Sequence, residues 1–446
     1  MISLADTPRR IASRSPISPL VERALSALFN LSEKQVITSP LEKPEVVRKS
    51  AALLSLDGST ASASALISAG FRKIRSFAVL PSTTGPRWLL PEDNSRQAVR
   101  GLKLFTPFSI RTRILKALGQ GIAAAGFPGR SNSRVLVASR EPLPIENLVK
   151  GLAHESNAGF AISLGTPVAC QKLTVQAMSP AGEILTYIKI PFGPESQVRI
   201  QAEAEILEKL SHFPKMRSRI PRLLSYADLG NGRILVQTPL SGNPGPTFLT
   251  PSHTEFLQDL HACGLLKYPG ALLVTETFHL WNQLASGLGA AWQAIAREAF
   301  RVASRELDGR DILCAPAHGD FVPWNTRELS GQLSCFDWES ASWRAPVDWD
   351  MFHFMAQTHS LIKEGPGPVS LPETGNGSRG SYLLYLLYST AQLAAENSPL
   401  PTLEYRRALL RHNLSSDLTG PSANVSRVTK NVMKEPCLNW ENRIDD

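Results

Sequence analysis

Two short runs constrain this 446-residue chain more than anything else in it. The first is His318-Gly319-Asp320-Phe321-Val322-Pro323-Trp324-Asn325, the second Phe336-Asp337-Trp338-Glu339. Residues 325–329 and 333–336 have strand character and flank Ser330-Gly331-Gln332, a turn-forming triplet. A hairpin there brings Asn325 and Asp337 side by side. An apolar strand rarely ends in two acids around a Trp for packing reasons, since unpaired buried carboxylates are costly. Phosphoryl transfer, in contrast, needs this set of groups. One carboxylate (Asp320) orients the attacking hydroxyl and accepts its proton. The Asn325 amide oxygen and the Asp337 carboxylate hold the magnesium ions that neutralise a triphosphate.

The His-x-Asp-x-x-x-x-Asn loop followed by an Asp at a strand end resembles the catalytic core of the aminoglycoside phosphotransferase and choline kinase superfamily, relatives of the protein kinases. The resemblance implies a bilobal α+β fold, with an antiparallel-sheet N-lobe and a mostly helical C-lobe. It implies ATP and Mg2+ as cofactors, with a small hydroxylated molecule as acceptor. It makes Asp320 the catalytic base, Asn325 and Asp337 the metal ligands, and His318 a residue that shapes the loop. Asp350, with Asp348 as an alternative, matches the family's structural Asp opening the next helix.

Upstream, residues 160–164, 173–178 and 184–190 read as three successive strands, the last two joined by Ser179-Pro180-Ala181-Gly182. The resemblance assigns Lys189, near the end of the third, to the α- and β-phosphates. Its partner is a Glu on the following helix at 201–210, where Glu203 fits the spacing better than Glu205. The phosphate-covering loop implied between the first two strands, Ser163-Leu164-Gly165-Thr166-Pro167, holds one Gly and departs from the GxGxxG of protein kinases. Residues 233–240 read as a strand running into the inter-lobe hinge, whose backbone around Thr238 and Leu240 would face the adenine.

The length exceeds one ordinary domain. We expect a variable segment over 1–60, a basic α+β domain of unassigned fold over 61–150, an N-lobe over 151–241, a C-lobe over 242–414 and a polar tail over 415–446. In the first two units, residues 20–31 read as an amphipathic helix, 59–69 as a small-residue-rich stretch, 74–80, 87–91, 102–105 and 135–138 as strands, and 110–125 as a basic helix. In the C-lobe, 252–261 and 280–307 have helical spacing, and Trp281 and Trp292 read as core. The stretch 365–380 reads as a Gly- and Pro-rich loop.

The net charge of +8 is uneven: residues 1–150 carry 22 Lys and Arg against 10 Asp and Glu. Such an excess favours an anionic partner for that part, or is a solvated basic surface. The five cysteines (Cys170, Cys263, Cys314, Cys335, Cys437) form no CxxC, which argues for a reducing, cytoplasmic setting without disulfides or structural zinc. No apolar run reaches membrane-spanning length, and 382–395 reads as a buried helix. Nor does a secretory signal follow Arg9, Arg10 and Arg14.

The acceptor is less constrained. From residue 351 onward basic and acidic residues balance at nine each, which speaks against a polycationic aminoglycoside. A choline-type acceptor calls for an aromatic cage, to which Trp343, Trp349, Tyr382, Tyr385 and Tyr388 could contribute, although the three tyrosines recur at core-helix spacing. A sugar or polyol hydroxyl is preferred. Two classes of function stand: an active small-molecule kinase, or a catalytically silent kinase-fold protein that binds partners through its basic N-terminal part.

Overall fold

The computed structural model describes residues 18–82, 85–104, 110–124, 134–165, 168, 170–230, 232–362, 379–398 and 400–415. The loop expected over 365–380 and the tail therefore fall almost wholly outside the described residues. The chain opens with α1 (Pro19–Phe29), β1 (Val36–Ile37), α2 (Pro44–Lys49), β2 (Ala52–Ser55) and α3 (Thr60–Ser68). The hairpin β3 (Lys73–Ser82) and β4 (Gly85–Pro91) comes next, then α4 (Ser95–Gly101), α5 (Ile110–Ala124), β5 (Arg134–Ser139) and α6 (Pro144–Ala153). There follow β6 (Gly159–Ser163), β7 (Lys172–Met178), β8 (Ile184–Pro191), α7 (Pro194–Ser211), α8 (Pro214–Arg217), β9 (Leu223–Asp228) and β10 (Arg233–Gln237).

These ten strands form one sheet in the order β1-β2-β5-β3-β4-β6-β7-β8-β10-β9. The sheet runs without a break across the divisions expected near 60 and 150. β2 pairs with β5 along four residues, and β4 meets β6 at a short seam, Trp88 opposite Ser163 and Leu89 opposite Ile162. One apolar core explains the continuity. Ser18 and Pro19 start α1, and Asn30 ends it in a left-handed conformation. Between them Val21, Ala24, Leu25, Leu28 and Phe29 are buried, a single stripe at helical spacing. That stripe and Ile145 and Val149 of α6 pack on Phe77, Val137, Phe160, Ile162, Val175, Ile188 and Val236, which span the sheet from β5 to β10. Ile37, Val47 and Leu53 bury instead in a second, smaller cluster with Leu66, Phe71, Leu136 and Ala138.

α4 packs on β4, β6 and β7 through a smaller cluster of Leu90, Leu102, Ala161 and Met178. Here the structure corrects one expectation. Residues 102–104 are not a strand but a 3-10 turn continuing α4. Asn94 caps α4 by accepting from the Arg96 and Gln97 amides, and Leu102 completes its buried face one turn beyond Ala98. A run of alternating apolar residues too short to show a period reads equally as strand or helix end.

The second half is mostly helical: β11 (Asn243–Pro244), α9 (Pro251–His261), β12 (Leu266–Pro269), α10 (Gly270–Leu284), α11 (Ala290–Leu307), β13 (Asp311–Ala317), β14 (Thr326–Leu329), β15 (Gln332–Cys335), β16 (Ser342–Pro346), α12 (Trp349–Ile362), α13 (Arg379–Ala395) and α14 (Leu400–Ser415). The helical stretch expected over 280–307 is broken at 285–289. Gln293 secures the break by donating to the Ala285 and Leu288 carbonyls and accepting from the Trp281 indole. Trp281 and Trp292 are core, as are Tyr382 and Tyr385 of α13. Among the described residues, no helix is long and apolar enough to cross a membrane.

Because α1 and the strands that hold Lys189 share one core, Phe29→Ala should destabilise the whole sheet by about 3–5 kcal/mol. Chemical denaturation should show one shifted transition. A separate early loss of α1 with the remaining sheet unchanged would contradict the shared core.

Candidate active site

The hairpin of β14 and β15 turns through Ser330 and Gly331, both at positive φ (52° and 78°), with Leu329 paired to Gln332. This two-residue turn fits strand twist and demands left-handed residues at both places. It returns the chain so that the Phe336 amide donates to the Asn325 carbonyl at 2.9 Å. Asp320, Asn325 and Asp337 are thereby anchored to one another through a rigid element.

The loop from His318 to Asn325 is held from three sides. His318 is fully buried, its Nε2 lies 3.0 Å from the Phe336 carbonyl, and its Nδ1 accepts from the Asp320 amide at 3.2 Å. A neutral ring protonated on Nε2 satisfies both contacts. Burial lowers the His318 pKa, with Asp350 and Asp320 opposing, which favours the neutral ring that these two contacts call for. Asp350, in the first turn of α12, accepts from the His318 amide at 2.7 Å with one oxygen and from the Gly319 amide at 2.8 Å with the other. Of the two candidate structural acids, Asp350 is the one on the loop. Gly319 sits at φ +79°, and a Cβ there would lie 2.0 Å from the Ser340 carbonyl oxygen, so only glycine fits.

Asp320 has both carboxylate oxygens engaged. Oδ2 accepts from the Asn325 side-chain amide at 2.8 Å, and Oδ1 lies 2.9 Å from His353 Nε2 on α12. Tyr385 of α13 stands 3.2 Å from the other ring nitrogen of His353. Burial works to raise the Asp320 pKa, but the His353 hydrogen bond and charge overcome it and hold the carboxyl below its ordinary value. Asp320 is therefore ionised and fixed in rotation.

Opposite this loop lies the face of the sheet that carries Lys189. Lys189 is buried, its ammonium 2.5 Å from both oxygens of fully buried Glu203 and 2.6 Å from Asp337 Oδ1. Glu205 points elsewhere, to Gln201 at 2.8 Å. The Trp338 amide also donates to Glu203. Lys172 adds a second ammonium, 2.7 Å from the same Asp337 oxygen and in contact with Glu339. Asp337 adopts a left-handed conformation (φ 70°, ψ 59°), which costs roughly 1–3 kcal/mol for a non-glycine residue. Burial would raise its pKa, yet Lys172 and Lys189 drive it well below the carboxylate range. Glu339 moves the other way, raised by burial against the pull of Lys172.

The remaining expected positions frame this cleft. Ser163 ends β6 opposite Thr174. Gly165, at φ +70°, lies so close to the Lys172 carbonyl that a Cβ would come within 2.4 Å. The loop is braced by Gln171 donating to the Leu164 carbonyl at 2.7 Å and by Arg87 of β4 donating to the Gly165 carbonyl at 2.5 Å. Thr166 lies outside the described residues. Just beyond β10, the Thr238 amide donates to the Arg222 carbonyl and its hydroxyl accepts from the Arg222 amide, so Thr238 is tied to the residue that precedes β9. Leu240 follows it, half-buried, on the way to β11. Lys172, Glu339 and His353 were not singled out from the sequence. Glu339 stood in the motif without a role. Lys172 carried a usable signal in strand alternation, two residues before Thr174, which faces Lys189.

No family model and no curated protein matches the chain. Among solved structures, it is similar to choline kinase LicA from Streptococcus pneumoniae, at 16% identity over 61% of this chain and 98% of that one, TM-score 0.41. It is similar also to aminoglycoside phosphotransferase APH(4)-Ia, at 11% identity over 62% of this chain and 99% of that one, TM-score 0.41. A third similar structure is the GDP complex of aminoglycoside 2'-phosphotransferase-IIIa, at 13% identity over 55% of this chain and 90% of that one, TM-score 0.38. At those values the likeness carries no weight beyond itself, and the cleft described above has to speak for its own chemistry.

Asp350→Ala should leave the buried His318 amide and the part-buried Gly319 amide without this acceptor and cost about 1–3 kcal/mol in chemical denaturation. Asp350→Asn, which keeps one acceptor oxygen, should cost about half as much. Equal and negligible losses in both would show that Asp350 does not hold the loop.

Proposed function

We propose that the chain is an ATP- and Mg2+-dependent phosphotransferase that moves the γ-phosphate to a hydroxyl of a small molecule, with Asp320 as the base. The observation that supports this best is the meeting of two sets of groups at Asp337. The sheet contributes a buried Lys189 paired to Glu203. The second half contributes an ionised Asp320, braced by Asn325 and His353, one hairpin away from Asp337. A fold has no structural need to spend so many charged groups at one point.

The residues fit the metal. Glu203, Asp337 and Glu339 offer carboxylate oxygens within 4.8 Å of one another, and Asn325, whose amide nitrogen is committed to Asp320, leaves its amide oxygen available. Such an oxygen-only set suits a hard divalent cation. Asp337 and Asn325 would hold it, with Glu339 beside them, and when bound it would neutralise charge on the transferred phosphoryl group. Lys189 grips the nucleotide phosphates, its stem held straight by Glu203. The Asp320 carboxylate receives the acceptor O–H and takes its proton, while Asn325 and His353 keep it aimed. Phosphoryl transfer asks for little more than this positioning and charge.

The acceptor reading is a neutral hydroxylated molecule, a sugar or polyol. Tyr382, Tyr385 and Trp349, which could have lined a quaternary-ammonium cage, are spent in the core, where Trp349 packs against Tyr388 at 4.8 Å between ring centres. Trp343 stands apart, against Phe213 and under Lys209.

Mg2+-ATP should raise the melting temperature, and Asp337→Ala should abolish the rise. In a screen of sugars, polyols, amino alcohols and aminoglycosides, the productive acceptor should lose about 10²–10⁴-fold in turnover with Asp320→Asn, while nucleotide binding survives. No shift at millimolar Mg2+-ATP would overturn the phosphotransferase reading.

A further inference from the structure

Lys172 has no part in the chemistry just described, yet it occupies the middle of it. It opens β7, and its side chain is only 13% exposed. Its ammonium binds the two carboxylates, Asp337 and Glu339, that are offered to a divalent cation. Lys189 touches Asp337 too, but it has an anchor of its own in Glu203, which takes it with both oxygens. For Lys172 the described partners are the prospective metal ligands alone. One oxygen of Asp337 thus accepts from two ammonium groups, at 2.6 and 2.7 Å.

An ammonium and a divalent cation cannot share Asp337 and Glu339, because like charges at contact distance in a part-buried site repel strongly. Driving Lys172 off would strand a buried charge unless another anion took it. The nucleotide brings that anion. Lys172 and Thr174 lie on the sheet face of Lys189, Thr174 being its cross-strand partner, so both lysine stems enter the same cleft. A lysine stem of four flexible carbons with three donors suits such an exchange.

Taking the phosphotransferase reading as its basis, we propose that Lys172 is a movable counter-ion. In the nucleotide-free protein its ammonium fills the cation position at Asp337 and Glu339. When Mg2+ and ATP bind, it swings onto the phosphate oxygens and becomes a second phosphate anchor beside Lys189. Metal and nucleotide then bind as a coupled pair, since neither alone both releases Lys172 and gives it a new partner.

The test is titration of the full chain with Mn2+, read by its paramagnetic signal, with and without ATP. Lys172→Met should bind Mn2+ about tenfold or more tightly than wild type when nucleotide is absent, and Mn2+-ATP about tenfold more weakly. Lys172→Arg should stay near wild type in both. Lys172→Gln carries the same expectation as the Met variant if that one fails to fold, as judged by circular dichroism. If the neutral variants bind free Mn2+ no more tightly than wild type, Lys172 is a fixed brace and the inference fails. If they bind Mn2+-ATP as tightly as wild type, the phosphate-anchor role fails. Wild type that binds neither Mn2+-ATP nor Mg2+-ATP would overturn the phosphotransferase reading itself. Normal nucleotide binding with unchanged Lys172 variants would overturn this inference alone.

Discussion

The two halves of the molecule meet in the ion cluster at Asp337, set beside an apolar core that α7 and β10 share with α9, Phe321, Trp338 and Phe354. Lys172 and Lys189 come from adjacent strands of the large sheet, Glu203 from α7, and Asp337 and Glu339 from just beyond the β14–β15 hairpin. Each charge is expensive to bury alone and acceptable only with its neighbours. The left-handed backbone at Asp337 fits this account: a strained residue persists where surrounding contacts over-determine it. Together with that core, the cluster helps position one half against the other, and it holds the groups of the proposed chemistry. A change that loosens the cluster should disturb both.

Three structural devices serve that cluster. The hairpin fixes Asn325 against Asp337 through main-chain pairing. Asp350 turns the first turn of α12 into a clamp on the loop from His318 to Asn325, and buried His318 pins that loop to the strand end. Around these, the helical core of α10, α11, α13 and α14 supplies a rigid floor but no charged group of the site itself. The division of labour follows from cost. Apolar packing sets the platform, and polar contacts set the few angles that matter.

Local signals made much of this legible in the sequence. The hairpin could be read because its turn needs two small left-handed residues between short apolar runs, and the loop because its side chains have fixed spacing. Strands β6, β7 and β8 showed alternation and a clear turn. What could not be read were contacts between distant segments. Lys172 is one lysine on a strand until β8 and the hairpin are laid beside it, and His353 is one residue of an apolar helix until α12 meets Asp320. The joining of the first strands to those of the nucleotide side depends on the β4–β6 pairing and a core shared by residues more than a hundred positions apart, and no window of sequence contains that. The turn at 102–104 was misread for the opposite reason, being too short for its period to show.

The short seam between β4 and β6 has a consequence for the loop beside it. In a sheet that ended at β6, the segment after Ser163 would hang from a free edge, with unpaired amides exposed to any passing strand. Here the edge is covered, and Arg87, one residue before the seam, holds the carbonyl of Gly165 from outside. The segment after Ser163 is therefore tied to a neighbouring strand as well as to its own end, where Gln171 donates to the Leu164 carbonyl. The Arg87 contact thereby joins the N-terminal strands directly to the rim of the proposed site.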